Sequence, residues 1–189
     1  MSTRESLLRG ALRVIGEHGV AGLTNRRIAT QAGVSLGSLT YHFASQQELL
    51  REAMLLFAQQ ETEKLAAMAE ANRVRGLDAQ QAAVLVEQVI EQMTMGPDEI
   101  APLELYLHAG RDPSLREAST RCFAAYEELT AAILDAVGVT DSRRLAGPVV
   151  ALIAGFQLRR LATGTSSSPG TASIAESLTM LARGASAAG

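Results

Sequence analysis

Between Thr24 and Phe43 the chain carries a dense run of hydrogen-bonding side chains and no carboxylate: Thr24, Arg26, Arg27, Ser35, Ser38, Thr40, Tyr41 and His42. Hydroxyl, imidazole and guanidinium groups suit phosphate oxygens and base edges, which an acidic group would repel. The spacing says how they are held. Ile28, Ala29 and Ala32 give a first short helix a narrow apolar face, and Gly33 can take the positive φ that ends it. Val34 turns inward, Ser35 can cap the next helix, and Leu39 and Phe43 bury at i and i+4. Leu36, Gly37, Ser38, Thr40, Tyr41 and His42 remain to face outward, with small groups leading. Two short helices about a tight Gly turn form a helix-turn-helix, whose second helix is expected to enter the major groove of double-stranded DNA.

Other chemistry finds little support. His18, His42 and His108 have no ligand spacing and no Cys/His cluster exists, so neither a metal site nor a cofactor is expected. Cys122 and His108 could be read as a nucleophile pair. Cys122, however, lies on an apolar helical stripe, where a thiol acts as a small hydrophobe. No catalytic residue is assigned, and the chain is not expected to be an enzyme.

The elements that must position the motif are helical throughout. Hydrophobic residues make up 47% of the 189, aromatics only 4%, and Trp is absent, which favours an all-α fold over a β-rich one. A single cysteine excludes an internal disulfide and suits a reducing compartment. No unbroken run of about 18 apolar residues occurs, so no membrane contact is expected. Glu5 and Glu17 argue against a transit peptide, and a cytoplasmic location is expected. Net charge is −3, yet residues 1–50 carry +2 and the remainder −5. A basic head on an acidic body orients toward phosphate.

The periodicity predicts about nine helices. The first buries Leu7, Leu8, Ala11, Leu12 and Ile15 and stops at Gly19. Ser45 and Glu48 form a capping box that opens a long helix through Leu49, Leu50, Ala53 and Phe57 to about Met68. After a polar turn at 72–78, a helix spans about 79–95 and Gly96-Pro97 breaks it. A short helix through Leu105 and Tyr106 follows. The next is a clean stripe from Leu115 through Cys122, Tyr126 and Ile133 to Val137. A strongly apolar helix over about 142–162 contains Pro148, which should kink it. A Gly/Ser/Pro loop at 164–170 precedes a last helix over about 172–182.

The string LTNRRIATQAGVSLGSLTYHFASQQELL resembles the N-terminal signature of the TetR/AcrR family of bacterial transcriptional regulators, without a gap over about thirty residues. The resemblance implies a three-helix DNA-binding domain at 1–46 and a helical ligand-binding and dimerisation domain at 47–189. It further implies a homodimer on a palindromic operator, its last two helices packing as a four-helix bundle, and a pocket whose small-molecule effector weakens DNA binding. Arg26 lies where the family often places a base-contacting Arg; Arg27 suits phosphate. Tyr41 and His42 match positions that touch backbone and base edge, while Thr24, Ser35 and Ser38 combine capping with phosphate contact. Two residues depart from the pattern: Thr40 stands where an aromatic is usual, and Gln46 replaces a Lys that normally touches the DNA backbone.

On the helical faces, Met68, Met93, Leu105, Tyr106, Phe123, Tyr126, Leu152 and Phe156 are candidates to line that pocket, with Gln157 as a polar contact. Simple core packing is the alternative for each. Their low charge points to a largely apolar effector. Leu145, Val149 and Ile153, with Ile174, Leu178 and Leu181, are the candidates for the dimer interface. The alternative function is a helical metabolite- or protein-binding dimer with little operator affinity.

Overall fold

The computed structural model describes residues 2–73, 79–92, 96–139, 141–164 and 173–187, leaving out the side chains of 65, 68–73, 79, 85, 88–92 and 185–187. The helices of the motif follow starts and stops written locally. Ser2 opens α1 (Thr3–His18) by accepting from the Glu5 N–H at 3.2 Å, and Gly19 closes it at φ 69°. A 3-10 turn at Val20–Gly22 leads to α2 (Asn25–Ala32), capped by Thr24 and ended by Gly33 in the left-handed region at φ 67°, ψ 31°. After α3 (Leu36–His42) comes α4 (Gln46–Arg73), then α5 (Ala79–Gln92) and α6 (Pro97–Ala109). A second 3-10 turn, Pro113–Leu115, precedes α7 (Arg116–Ala136), α8 (Ser142–Thr163) and α9 (Ile174–Ala187). The architecture is all-α, with an N-terminal helix-turn-helix as expected.

Some boundaries move. The long helix continues past Met68 to Arg73, and the last begins at Ile174 and runs beyond residue 182. Met93, residues 74–78 of the polar turn and residues 165–170 of the Gly/Ser/Pro loop lie outside the described residues. The predicted capping box forms with one change. The Glu48 N–H bonds the Ser45 hydroxyl at 3.1 Å, but the Glu48 carboxylate reaches back to the N–H of Ala44, at 2.9 Å. An equivalent box opens α9, where the Ser173 N–H meets the Glu176 carboxylate at 2.7 Å.

The chain packs as two compact units, which do not follow the division at residue 46. The first takes residues 1–61 and 94–122. Its core includes Leu7, Ile15, Ile28, Leu49, Met54, Leu105 and Leu115, all fully buried. Val14, Met54 and Ala58 are buried where Leu12 and Phe57 were expected, and those two are only half-buried. The three motif helices thus share a core with α6, which lies so close against α1 that a Cβ on Gly16 would run into the Pro97 carbonyl. Only glycine fits there.

The second unit takes residues 62–93 and 123–189. Ala83 of α5, Val149 of α8, and Ile174, Ala175 and Leu178 of α9 are its buried cluster. The Glu87 carboxylate accepts from the Ala175 N–H at 3.4 Å, tying α5 to the start of α9. By length and composition α8 is long and apolar enough to cross a membrane, although no unbroken apolar run of that length exists, and little of it is buried. Its exposed positions are Arg143, Arg144, Pro148, Ala151, Gly155, Leu158, Ala162 and Thr163.

Candidate nucleic-acid interface

Seven residues long, α3 is too short to persist alone, and its surroundings hold it. Leu39 and Phe43, each 4% exposed, anchor one side in the core. At the other end the Ser38 N–H donates to the Ser35 hydroxyl at 3.2 Å, and the two hydroxyls lie 3.0 Å apart. The Thr40 hydroxyl donates to the Gly37 carbonyl at 3.1 Å. Outward this leaves Leu36 at 52% exposure, Gly37, Thr40, and Tyr41 at 86%. Ser38 and His42 were expected to be exposed and are half-buried. Ser38 is drawn in by Ser35, while His42 sits edge-on to the Tyr41 ring at 5.1 Å and 6.5 Å from Phe43.

Charge is distributed unevenly around the motif. Arg4 pairs with Glu52 at 3.2 Å and lies over the Phe43 ring at 5.1 Å. Arg9 pairs with Glu5 at 2.9 Å, and Arg13 with Glu17 at 2.7 Å and Asp98 at 3.6 Å. The three arginines of α1 are therefore neutralised by carboxylates. Those of α2 are not. Arg26 is exposed and makes no hydrogen bond or ion pair among the described residues. Arg27 donates to the Gly22 carbonyl at 2.8 Å, which fixes its guanidinium but leaves its charge uncompensated. Much of the basic character of the head thus comes down to this pair, beside Thr24, whose hydroxyl accepts from the Arg27 N–H at 3.3 Å.

Gln46 has a structural task that sequence reasoning missed. Its side-chain amide donates to the Leu23 carbonyl at 3.2 Å and clasps the start of α4 to the entry of α2. Its neighbour Gln47 holds the Asp112 carboxylate at 3.1 Å and the Ser114 hydroxyl at 3.4 Å. Ser114, through its hydroxyl and its backbone N–H, holds the Asp112 carboxyl below its ordinary pKa, with Gln47 assisting. No short-range pattern pairs residues 47 and 112; the contact needs the fold.

The candidate pocket residues are divided between the two units. Leu105 is fully buried in the core of the first unit and Tyr106 packs against it. Phe123, 36% exposed, and half-buried Tyr126 make an edge-on pair at 6.5 Å in the second unit. Leu152 and Phe156 pack against that unit's cluster, and the half-buried Gln157 adjoins Phe156 in sequence. The side chain of Met68 and all of Met93 lie outside the described residues. Cys122 is buried, and that burial pushes the pKa of its thiol up to about 11, opposed by the nearby Tyr106 hydroxyl and reinforced by the charge of Glu61. Such a thiol stays protonated near neutral pH and is a poor nucleophile.

For the dimer candidates the structure separates two groups. Val149, Ile174 and Leu178 are 6%, 5% and 9% exposed within the single chain and have little surface left to offer. Their side chains are taken up by packing among α5, α8 and α9. Leu145, Ile153 and Leu181 are half-buried. The open apolar face of α8 is instead Pro148, Ala151, Gly155 and Leu158, with Met180 exposed on α9.

Comparison with known proteins agrees with this geometry at both ends of the chain. Residues 7–53 match the model of the bacterial regulatory proteins of the tetR family, and residues 77–184 match a tetracyclin repressor-like C-terminal domain. The regulator BetI of Agrobacterium fabrum is 31% identical over 163 residues, 82% of this chain and 75% of its own length. PksA of Bacillus subtilis, an HTH-type transcriptional regulator, is 40% identical over 62 residues, and there the chain spans only 30% of the relative. The multidrug binding protein EbrR, solved with imidazole, superposes with a TM-score of 0.70 at 30% identity, covering 96% of this chain and 95% of that one. EbrR has also been solved with proflavin and with ethidium. With the helix-turn-helix formed as its sequence implies and both segments matched, this chain belongs to the tetR family of bacterial regulatory proteins, which are transcriptional regulators rather than enzymes.

Proposed function

We propose that this chain is a ligand-responsive repressor that binds a palindromic operator as a homodimer. The observation that carries this is the face of α3 together with Arg26 and Arg27: a carboxylate-free helix beside arginines whose charge no carboxylate compensates. Arg26 is suited to guanine, whose O6 and N7 accept both arms of a guanidinium. Arg27, fixed by the Gly22 carbonyl, and the hydroxyls of Thr24 and Tyr41 suit phosphate, and His42 the base edge or backbone beside Tyr41. Residues 1–46 would carry this contact, and residues 47–189 the effector and the dimer.

Dimerisation is assigned to the stripe Pro148–Ala151–Gly155–Leu158 with Met180. Positions spaced three and four apart form one continuous seam, and open space surrounds Gly155, so a second helix could approach closely. Two heads must then enter successive major grooves about 34 Å apart, or a multiple of that. The effector would be small and largely apolar or aromatic, in keeping with Phe123, Tyr126, Leu152 and Phe156 and with the aromatic compounds bound to EbrR. Because α6 packs directly on α1 at Gly16, and α4 begins at the clasp of Gln46 on Leu23, a shift in either helix would move the head. Taking the population from 99:1 to 1:99 requires about 5.5 kcal/mol of differential effector affinity. The one observation favouring the second reading, a dimer with little operator affinity, is Gln46. Its amide is already spent on Leu23 where the family has a phosphate-binding Lys.

The test is anisotropy of a labelled random-sequence duplex across a salt series. Wild type should bind with log affinity falling linearly in log salt. Replacing both Arg26 and Arg27 with Ala should flatten the slope by roughly 0.9 for each phosphate the two arginines neutralise. Salt-independent binding, or a slope unmoved in the double variant, would contradict the assignment.

A further inference from the structure

We propose that Leu36 and Thr40 together read the C5-methyl group of a thymine in each operator half-site. This rests on the operator reading above and goes beyond it, to what the leading turn of α3 recognises. The two residues are four apart and so share one side of the helix, and both are exposed. The hydroxyl of Thr40 donates to the Gly37 carbonyl at 3.1 Å, which spends its hydrogen within the helix. What Thr40 has left to present is its methyl group, beside an oxygen that can accept but has no hydrogen left to donate. Ser35 and Ser38 likewise bond each other at 3.0 Å, and Ser35 accepts from the Ser38 N–H besides. The first turn thus satisfies much of its own hydrogen-bonding capacity.

Between them Gly37 carries no side chain, and a Cβ built there would meet nothing nearer than the Ser35 hydroxyl at 3.8 Å. The helix is therefore bare at that point and can approach a base edge closely, with Leu36 at its first position. Leu36 keeps 52% of its surface exposed although Leu39, three residues on in the same short helix, keeps only 4%. In the major groove the thymine C5-methyl is the one apolar group a base pair displays. An apolar surface leading a recognition helix, flanked by hydroxyls that already bond one another or the backbone, matches that group.

The experiment uses the full chain and the duplex it selects from a random pool. Each thymine is replaced in turn, in both half-sites, by deoxyuridine, which keeps the pairing and the O4 acceptor and lacks only the methyl. Wild type should show one position per half-site at which the replacement weakens binding about fourfold, or about 16-fold for the symmetric pair, the value for one buried methyl each. Leu36→Ala should lose most of the difference between the thymine and uracil duplexes, and Thr40→Ser, which keeps the hydroxyl, should lose the smaller remainder. Leu36 lies outside the core, so helical content and mass should be unchanged and should be checked. A selected duplex that tolerates uracil at every position, or a uracil penalty undiminished in Leu36→Ala, would overturn the proposal while leaving operator binding intact. Failure to bind any duplex would overturn both, and is distinguished by the absence of selection itself.

Discussion

The helices α3 and α8 both present an exposed face, and the two faces differ in kind. On α3, seven residues long, hydrogen bonds reach from side chains to backbone within three positions, and its outer side mixes Leu36 with Gly37, Thr40 and Tyr41. On α8, 22 residues long, the outer side carries the apolar series Pro148, Ala151, Gly155 and Leu158, with Arg143 and Arg144 exposed at its start. A face of the first kind gains most from a polar, charged partner such as DNA. A face of the second kind gains only from removal of water, as when it meets an equal apolar surface. One chain carrying both suggests that the first is spaced by pairing of the second.

That contrast can be broken at either end. The largest effect is expected from Leu158→Glu. Burying a leucine is worth about 1.5–3 kcal/mol, and each residue counts twice in a symmetric dimer, so roughly 3–6 kcal/mol of association should be lost. Light scattering at micromolar concentration should find two chains for wild type and one for the variant; an intact dimer would reject the α8 seam. Next comes Gly16→Ala. The added methyl meets backbone at Pro97, which cannot swing aside, and the cost should be about 1–3 kcal/mol in denaturant unfolding. Unaltered stability would show that α1 and α6 are not so tightly apposed.

Arg26→Ala sharpens the polar side. It should cost about 1–3 kcal/mol of discrimination at one base pair per half-site, read as relaxed preference there in a selection experiment. A uniform loss across all sequences would make Arg26 a phosphate clamp instead. Ser35→Ala should remove the cap of α3 at about 1 kcal/mol of stability, measured by unfolding, and a neutral result would show that core anchoring alone holds the helix. Smallest is a pH effect at Asp112. Its carboxyl is held below its ordinary pKa in the fold, so its contribution is fully present above the unfolded value and is lost as pH falls through the folded one. Asp112→Asn should therefore flatten the acid limb of the stability curve, and an unchanged limb would remove Asp112 from the balance.

The motif was legible because it is built from neighbours. Thr24, Gly33, Ser35 and the Ser45–Glu48 pair act across three or four residues, and each forms as its spacing implies, with the Glu48 contact displaced by one residue to Ala44. The face of α8 was not legible in the same way. Leu145, Val149 and Ile153 are the bulkier series, but α5 and α9, both remote in sequence, claim Val149 for the interior of the unit. The open series lies roughly a third of a turn away around the helix. Leu105 was legible as inward-facing, but periodicity does not say which core receives such a residue. The contact of Gly16 with Pro97 had one local trace, a glycine inside an otherwise regular amphipathic helix.

The measurement that tests the account most directly is selection of the purified chain on a pool of random duplex DNA at physiological salt, with the bound fraction sequenced. The account predicts enrichment of an inverted repeat whose half-sites are centred about one helical turn, or a whole multiple of it, apart. A folded dimer that enriches no sequence would contradict it.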